Sequence, residues 1–586
     1  MKRFLGANRR VRRGAVVVQV AVMSTVILGM GALAIDVGSM YATQTELQAA
    51  ADSAALAAAQ RLMGDDSGVS PSILAKETAA DYAGRHKVAG AAVKLDPADV
   101  ELGRAQAVGG RWEFSPVAGG FDCVRVVVRK TESSSNGPLT LGFANIFGVG
   151  KKDLWARATA MLIPRDIAVV IDLSGSMTDD SLPTTWNRND GGYCNARDIW
   201  CALNGPEAPR PYEPAAETES AYASDTGPVY GIMSQWGTPL LPGAYSVGSD
   251  PGLILIQNKQ NVSGDALTKL TASLTSRGYN SAERAALLTK VTTSGNDNDA
   301  ARQRNRIGVL LGLATWKSGK SGSTMGSGGD GDDLIETNEV TWTSRPSYAV
   351  NWQWSDYVSW MQSNGGTFRY RYGPKSLVQF ILSDRRMYSE TNNLWQTPQQ
   401  PLRAVKDAVQ TLADTITAMD SPDHLSLETF ATSAVHEVNL TDDLSTIPNR
   451  LYQRQAGHFN ETTNIGGGLQ KAIAELQSNR ARASAKKMIV LMSDGVPNVD
   501  ERGNYDAGGG PGRAWALAQA DVAADKGFTI YTVSVGAGAD RPLMQAIAST
   551  TYGQEFYAAG SPEEYAEELE RIFRSLGGRR PVALIQ

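Results

Sequence analysis

The chain has 586 residues, enough for two to four domains with sizeable cores, and 42% of them are hydrophobic, an ordinary share for a folded protein. Its net charge of −5 is unevenly spread: MKRFLGANRRVRR, the first thirteen residues, holds six Lys or Arg and no acid, leaving about −11 on the remainder. A nucleic-acid binder needs a basic surface, so this balance argues against that class.

After Arg13 the run GAVVVQVAVMSTVILGMGALAI, residues 14–35, carries no charge and is long enough to cross a bilayer as a helix. The basic flank predicts a single pass, with residues 1–13 cytoplasmic and the long C-terminal part on the other side of the membrane. The competing reading is a cleaved signal peptide, with ALA at 32–34 as its small-residue site. Against it, the run exceeds the usual apolar region of about 7–15 residues. Residues 36–63 lack Pro and are dense in Ala, which predicts a continuing helical stalk whose small side chains let another helix approach closely.

The stretch RRGAVVVQVAVMSTVILGMGALAIDVGSMYATQTELQAAADSAALAAA resembles the N-terminal segment of TadE/TadG-like Flp (Tad) pilus assembly proteins. In that pattern a basic flank and a Gly precede the membrane helix, which runs through AIDVG into LQAAADSAALAAA. Gln19 stands where related pilin-like sequences often carry a Glu five residues after the processing Gly. The resemblance covers roughly the first 60 residues and implies a role in assembling, anchoring or supporting a Flp/Tad-type pilus.

Residues 64–163 open with a helical stretch and continue with β-rich runs such as DVELGRAQ and CVRVVVRK, a small α+β domain without a catalytic constellation. His86 is a lone histidine on a polar helix, expected to be solvated. Cys123 stands alone, whereas Cys194 and Cys201 are either a disulfide of an oxidising compartment or two half-buried thiols.

Across 164–178 and 400–576, apolar runs too uniform to be half-exposed alternate with amphipathic helices. That pattern predicts an α/β, doubly wound, mostly parallel sheet covered on both faces. An insertion at 179–399, rich in Gly, Ser, Asn, Trp and Tyr, is too long for a loop and must largely fold on its own. Within it, ATWKSGKS at 314–321 fits a loose phosphate-loop pattern but is followed by Gly/Ser-rich sequence instead of a helix.

Ligands of open α/β sheets collect outside the carboxyl ends of the strands. There RDIAVVIDLSGSM delivers Asp172, Ser174 and Ser176, the loop NETTNIGGGL delivers Thr462 and Thr463, and KKMIVLMSDG delivers Asp494. Hard oxygen donors of this kind suit Mg²⁺, Mn²⁺ or Ca²⁺ and fit zinc or copper poorly. Two other readings of DLSGSM compete: a turn capping a helix N-terminus, and a serine nucleophile with His458 as base. No GxSxG elbow surrounds either serine.

The three segments, in this order, resemble the von Willebrand factor A (vWA) domain and its metal-ion-dependent adhesion site. DLSGS matches its DxSxS motif, TNIGGGL its TNxGxxL and SDG its later Asp. The resemblance implies that Ser174, Ser176 and Thr463 bind the metal directly, while Asp172 and Asp494 act mainly through coordinated waters. It also implies a non-enzymatic protein that holds a partner's carboxylate on the metal, with the insertion setting which partner. A surface adhesin using the same site is the second reading, and a serine hydrolase a remote third.

Overall fold

The computed structural model describes residues 13–63, 69–109, 111–117, 119–182, 195–204, 246–247, 250–251, 254–255, 264–288, 300–316, 340–363, 371–372, 374–419, 421–578 and 580–585. The chain divides into two compact units. One comprises Met1–Pro164, Ala418–Ser421 and Gly578–Gln586, the other Arg165–Thr417 and Pro422–Gly577.

The first unit begins with one continuous helix, α1 (Arg13–Arg61), followed by α2 (Pro71–Gly84). The segment from Val16 is long and apolar enough to cross a membrane, and no part of its most apolar window is buried by protein. Further along, the helix changes role. Ala50, Ala54 and Ala58, with Ala51, Ala55 and Ala59, are fully buried against Ala75, Ala79 and Ala83 of α2 and the valines of the sheet. Spacing of four residues keeps each set on one face, and the absence of bulk lets the elements approach closely. Residues 47–62 are therefore a core helix and not the free stalk that their composition suggested.

The sheet of this unit is antiparallel. Its strands are β1 (Val100–Val108), β2 (Arg111–Pro116), β3 (Cys123–Lys130), β4 (Leu154–Leu162) and the chain's last strand, Val582–Ile585, in the order last strand–β4–β3–β1–β2. Val124, Val126 and Val128 alternate inward along β3, as a sheet with one covered face requires. The last strand pairs with β4 from Val582 opposite Leu162, and the Ile163 N–H donates to the Pro581 carbonyl at 2.8 Å.

The second unit is built on β5 (Arg165–Asp172), every residue of which is buried. Its insertion contains α3 (Ala196–Asn204), α4 (Gly264–Ser276), α5 (Ser281–Leu288), α6 (Ala300–Leu310), α7 (Trp354–Ser363) and α8 (Pro374–Asp384). The described parts of the insertion share a hydrophobic core of their own. At its centre Trp352 meets Trp354 and Phe380 edge-on, with ring centroids 5.8 and 5.4 Å apart. Cys194, and with it any pairing to Cys201, lies outside the described residues, as do 317–321 of the loose phosphate-loop pattern.

Beyond the insertion come α9 (Leu402–Ala418), β6 (His424–Phe430), β7 (Ala434–Thr441), α10 (Thr446–Tyr452), α11 (Ile465–Leu476), β8 (Lys486–Ser493), α12 (Gly510–Asp525), β9 (Thr529–Val535), α13 (Arg541–Thr550), β10 (Glu555–Ala558) and α14 (Pro562–Gly578). The strands order as β7–β6–β5–β8–β9–β10, parallel except for β7. Alternation along β5 divides the core. Ile167, Val169 and Ile171 pack with α9 and α14, and Ala168 and Val170 with α11, α12 and α13. This is the doubly wound α/β fold with β5 flanked on both sides, which places the switch in strand order at its carboxyl end.

Candidate metal centre

β5 ends at Asp172 because the chain leaves the sheet there. The Leu173 N–H donates to the Phe430 carbonyl at 2.7 Å, and a 3₁₀ turn, Gly175–Ser181, follows. This turn takes in Asp179–Ser181, the first residues of the expected insertion. Asp172 is fully buried and both of its oxygens are engaged: Oδ1 accepts from the Ser174 N–H at 2.7 Å, and Oδ2 from the Ser493 hydroxyl at 2.6 Å. The carboxylate thus ties the tip of β5 to the tip of β8.

Ser174 occupies the N-cap position of the turn but makes no side-chain cap bond. Its hydroxyl instead lies 3.0 Å from that of Ser176, which donates to Asp494 Oδ1 at 2.7 Å. A methyl group built on Gly495 would fall 3.3 Å from Ser176 Oγ and 3.5 Å from Thr463 Oγ1, so both hydroxyls face the same opening. The five residues Asp172, Ser174, Ser176, Thr463 and Asp494 are therefore gathered at one strand edge.

Local sequence explains how Thr463 arrives. Asn464 caps α11 by accepting from the Gly467 N–H at 2.8 Å. A Cβ on Gly468 would meet Phe430 at 2.6 Å and Val170 at 2.9 Å, so glycine lets the helix lean on β5 and β6. The neighbouring Thr462 points elsewhere, its hydroxyl donating to Thr432 Oγ1 at 2.7 Å.

Burial pushes the Asp172 carboxyl up to about 6, against the opposing hydrogen bonds from Ser493 and Ser174. Asp494 is also pushed well up, first by burial and then by the charge of Asp172, with Asp179 and Asp180 adding to the repulsion. Among the described residues no lysine, arginine or histidine forms an ion pair with either carboxylate. An all-oxygen donor set with uncompensated negative charge fits a hard divalent cation.

Further residues escaped the sequence reading. Asn498 holds the Thr463 backbone at both ends, accepting from its N–H at 2.7 Å and donating to its carbonyl at 3.0 Å. Its signal was present in SDGVPN, four positions after Asp494. Arg386, from the end of the insertion, donates to the Gly175 carbonyl at 2.7 Å and to Asp179 at 2.9 Å, and through Nε to Glu461 at 3.0 Å. No local motif announced it. His458 lies against Tyr388 and Phe459, with ring centroids 4.4 and 4.8 Å apart, and burial lowers its pKa to about 4. The serine hydroxyls pair with each other and with Asp494, not with His458.

Residues 14–61 match the TadE/G-like Flp pilus-assembly family, 43–160 the Tad-like Flp pilus-assembly family, and 395–572 the von Willebrand factor type A domain. The last match contains Thr463 and Asp494, while the strand bearing Asp172 precedes it across the insertion. No curated protein matches the chain. Solved structures similar to part of it include the vWF domain of the type V pili tip protein Mfa5 from Porphyromonas gingivalis, 14% identical, covering 33% of this chain and 93% of that one, TM-score 0.25. The PilB minor pilin from Streptococcus sanguinis is 18% identical over 30% of this chain and 53% of that one, TM-score 0.23. The manganese-loaded Plasmodium vivax TRAP protein is 16% identical over 31% and 67%, TM-score 0.22. The chain thus carries a TadE/G-like Flp pilus-assembly segment at its start and a von Willebrand factor type A domain in its C-terminal half.

Proposed function

We propose that this pilus-related protein is a non-enzymatic, membrane-anchored binding protein of Flp/Tad pilus assembly. Its vWA unit holds a divalent cation, Mg²⁺ or in its place Mn²⁺ or Ca²⁺, and the bound cation takes a carboxylate from a protein partner. Ser174, Ser176 and Thr463 are the direct ligands. Asp494 and Asp172 act from behind them, the first on Ser176 and the second by fixing the turn that carries both serines. The observation that carries this reading is the contact of Ser174, Ser176 and Asp494 oxygens at 3.0 and 2.7 Å on two strand tips. The basic tail keeps residues 1–13 cytoplasmic and the bulk of the chain, beyond the membrane helix, periplasmic.

Calorimetry on the purified chain is expected to register Mg²⁺ or Mn²⁺ binding that Asp172→Ala removes. Unchanged binding in that variant would refute the site. Pull-down of envelope proteins with and without EDTA then tests the partner, and capture indifferent to EDTA would refute metal-bridged binding.

A further inference from the structure

From the geometry of Asp36 we infer a second membrane contact: the loop at 142–150 lies in the bilayer interface beside the membrane helix, on the side where that helix emerges. The inference rests on α1 crossing the membrane, not on the metal site. The apolar run Val16–Ile35 spans about 30 Å at about 1.5 Å per residue, the thickness of the hydrocarbon core. Asp36 is the first charge after it, at the level where hydrocarbon gives way to headgroups.

Asp36 does not face water there and is only 4% exposed. Its carboxylate accepts from three successive backbone N–H groups, those of Gly142 at 2.9 Å, Phe143 at 3.0 Å and Ala144 at 2.5 Å. These bonds hold GFANIFGVG at the same height as the end of the apolar run. Three apolar side chains of the loop face outward: Ile146 is 78% exposed, Val149 51% and Phe143 41%. Tyr41, 73% exposed, stands about 7.5 Å further along the helix, the position of an interfacial aromatic. Lys151 and Lys152 close the loop with exposed side chains, suited to lipid phosphates. An apolar patch of this kind on a soluble surface marks an interaction site. Here it is tied by Asp36 to the end of a helix whose large apolar side chains from Val16 to Ile35 are themselves exposed.

The test is a nitroxide label on Ile146→Cys in the full chain, with Cys194 and Cys201 replaced by Ser. Cys123 stays, because its buried thiol, pushed up to about 12, does not label. The protein is reconstituted in phosphatidylethanolamine and phosphatidylglycerol vesicles, and collision with oxygen is compared with collision with a water-soluble nickel chelate. Leu28→Cys on the helix and Tyr505→Cys on the second unit, both exposed, are the lipid and water references. An oxygen-to-nickel ratio at 146 several-fold above that at 505 supports the contact. A ratio equal to that at 505 overturns it while the anchor stands. A label shielded from both reagents assigns the patch to a contact with protein, a second copy of the chain, and overturns it as well. A Leu28→Cys label that reads as aqueous removes the membrane helix and the inference together.

Discussion

Arg386 donates to the carbonyl of Gly175 at 2.7 Å, joining the end of the insertion to the turn between the two site serines. The same guanidinium bonds Asp179 on that turn and Glu461 two residues before Thr463. It therefore draws together the two loops that carry the candidate ligands, and acts on them through backbone and carboxylates. Replacing Arg386 with Ala is expected to weaken Mg²⁺ binding about 10–100-fold, the usual cost of losing a group that orients ligands. Calorimetry checks this, and Arg386→Lys is expected to recover only part of the loss, because a single ammonium cannot reproduce the fork. Affinity equal to wild type in Arg386→Ala would show that the loops hold their places unaided.

The paired threonines separate site from scaffold. Thr463→Val is expected to abolish metal binding with little effect on folding. Thr462→Val removes the hydrogen bond to Thr432 and is expected to cost about 0.5–1.5 kcal/mol of stability while binding persists. Urea unfolding and calorimetry on both variants read the two quantities independently, and the reverse pattern would exchange the assignments.

At the opposite end of β5, Arg165 and Asp423 form a wholly buried pair. Asp423 accepts from the Arg165 backbone N–H and Nε, each at 2.8 Å, and from Nη2 at 2.5 Å. The guanidinium also reaches the carbonyls of Leu576 and Gly577 at 2.8 Å each. Asp423→Ala leaves that charge buried without its carboxylate, and is expected to cost about 3–5 kcal/mol. The urea midpoint of the vWA unit measures it; a change below about 1 kcal/mol would mean that water reaches Arg165 in the variant.

A titratable pair sits on the edge of the sheet. His436 on β7 lies directly opposite Glu428 on β6, with Nδ1 3.0 Å from Oε1 and Nε2 2.8 Å from Asn439 Oδ1. With an acceptor at each nitrogen the ring is held as the doubly protonated cation, and its pKa is pushed up to about 9, mainly by the Glu428 bond. The folded state then binds a proton that the unfolded chain releases near 6.5. The stability that His436 contributes is fully present below about pH 6.5 and is lost as pH rises towards 9, while burial pushes the Glu428 carboxyl up to about 7, so the charged pair itself is complete only between about 7 and 9. Proton NMR is expected to find the His436 midpoint near 9 and to see it fall towards the ordinary value in Glu428→Gln. A midpoint that stays near 9 in that variant would refute the assigned cause.

Much of this architecture is legible in residue order. Within RDIAVVID the run IAVVI is apolar without interruption because β5 is covered on both faces, and its arrest at Asp172 marks a strand tip. TNIGGGL announces a helix that must approach a sheet closely. What the sequence conceals is contact between distant segments. The Ala-rich helix reads as a stalk because β3 and β4, the sheet strands that cover it together with α2, lie some 70–110 residues away. Val582–Ile585 is too short to declare itself, yet it completes a sheet begun before Pro164. Arg386 meets the site only because the insertion folds back onto it.

The pairing of that last strand with β4 has a mechanical consequence. The chain leaves β4 before Arg165 and comes back to the strand beside it after Gly577, and the Ile163–Pro581 hydrogen bond joins the two ends. A force entering at either end of that segment therefore meets two adjacent hydrogen-bonded strands of one sheet, and neither strand alone has to carry it.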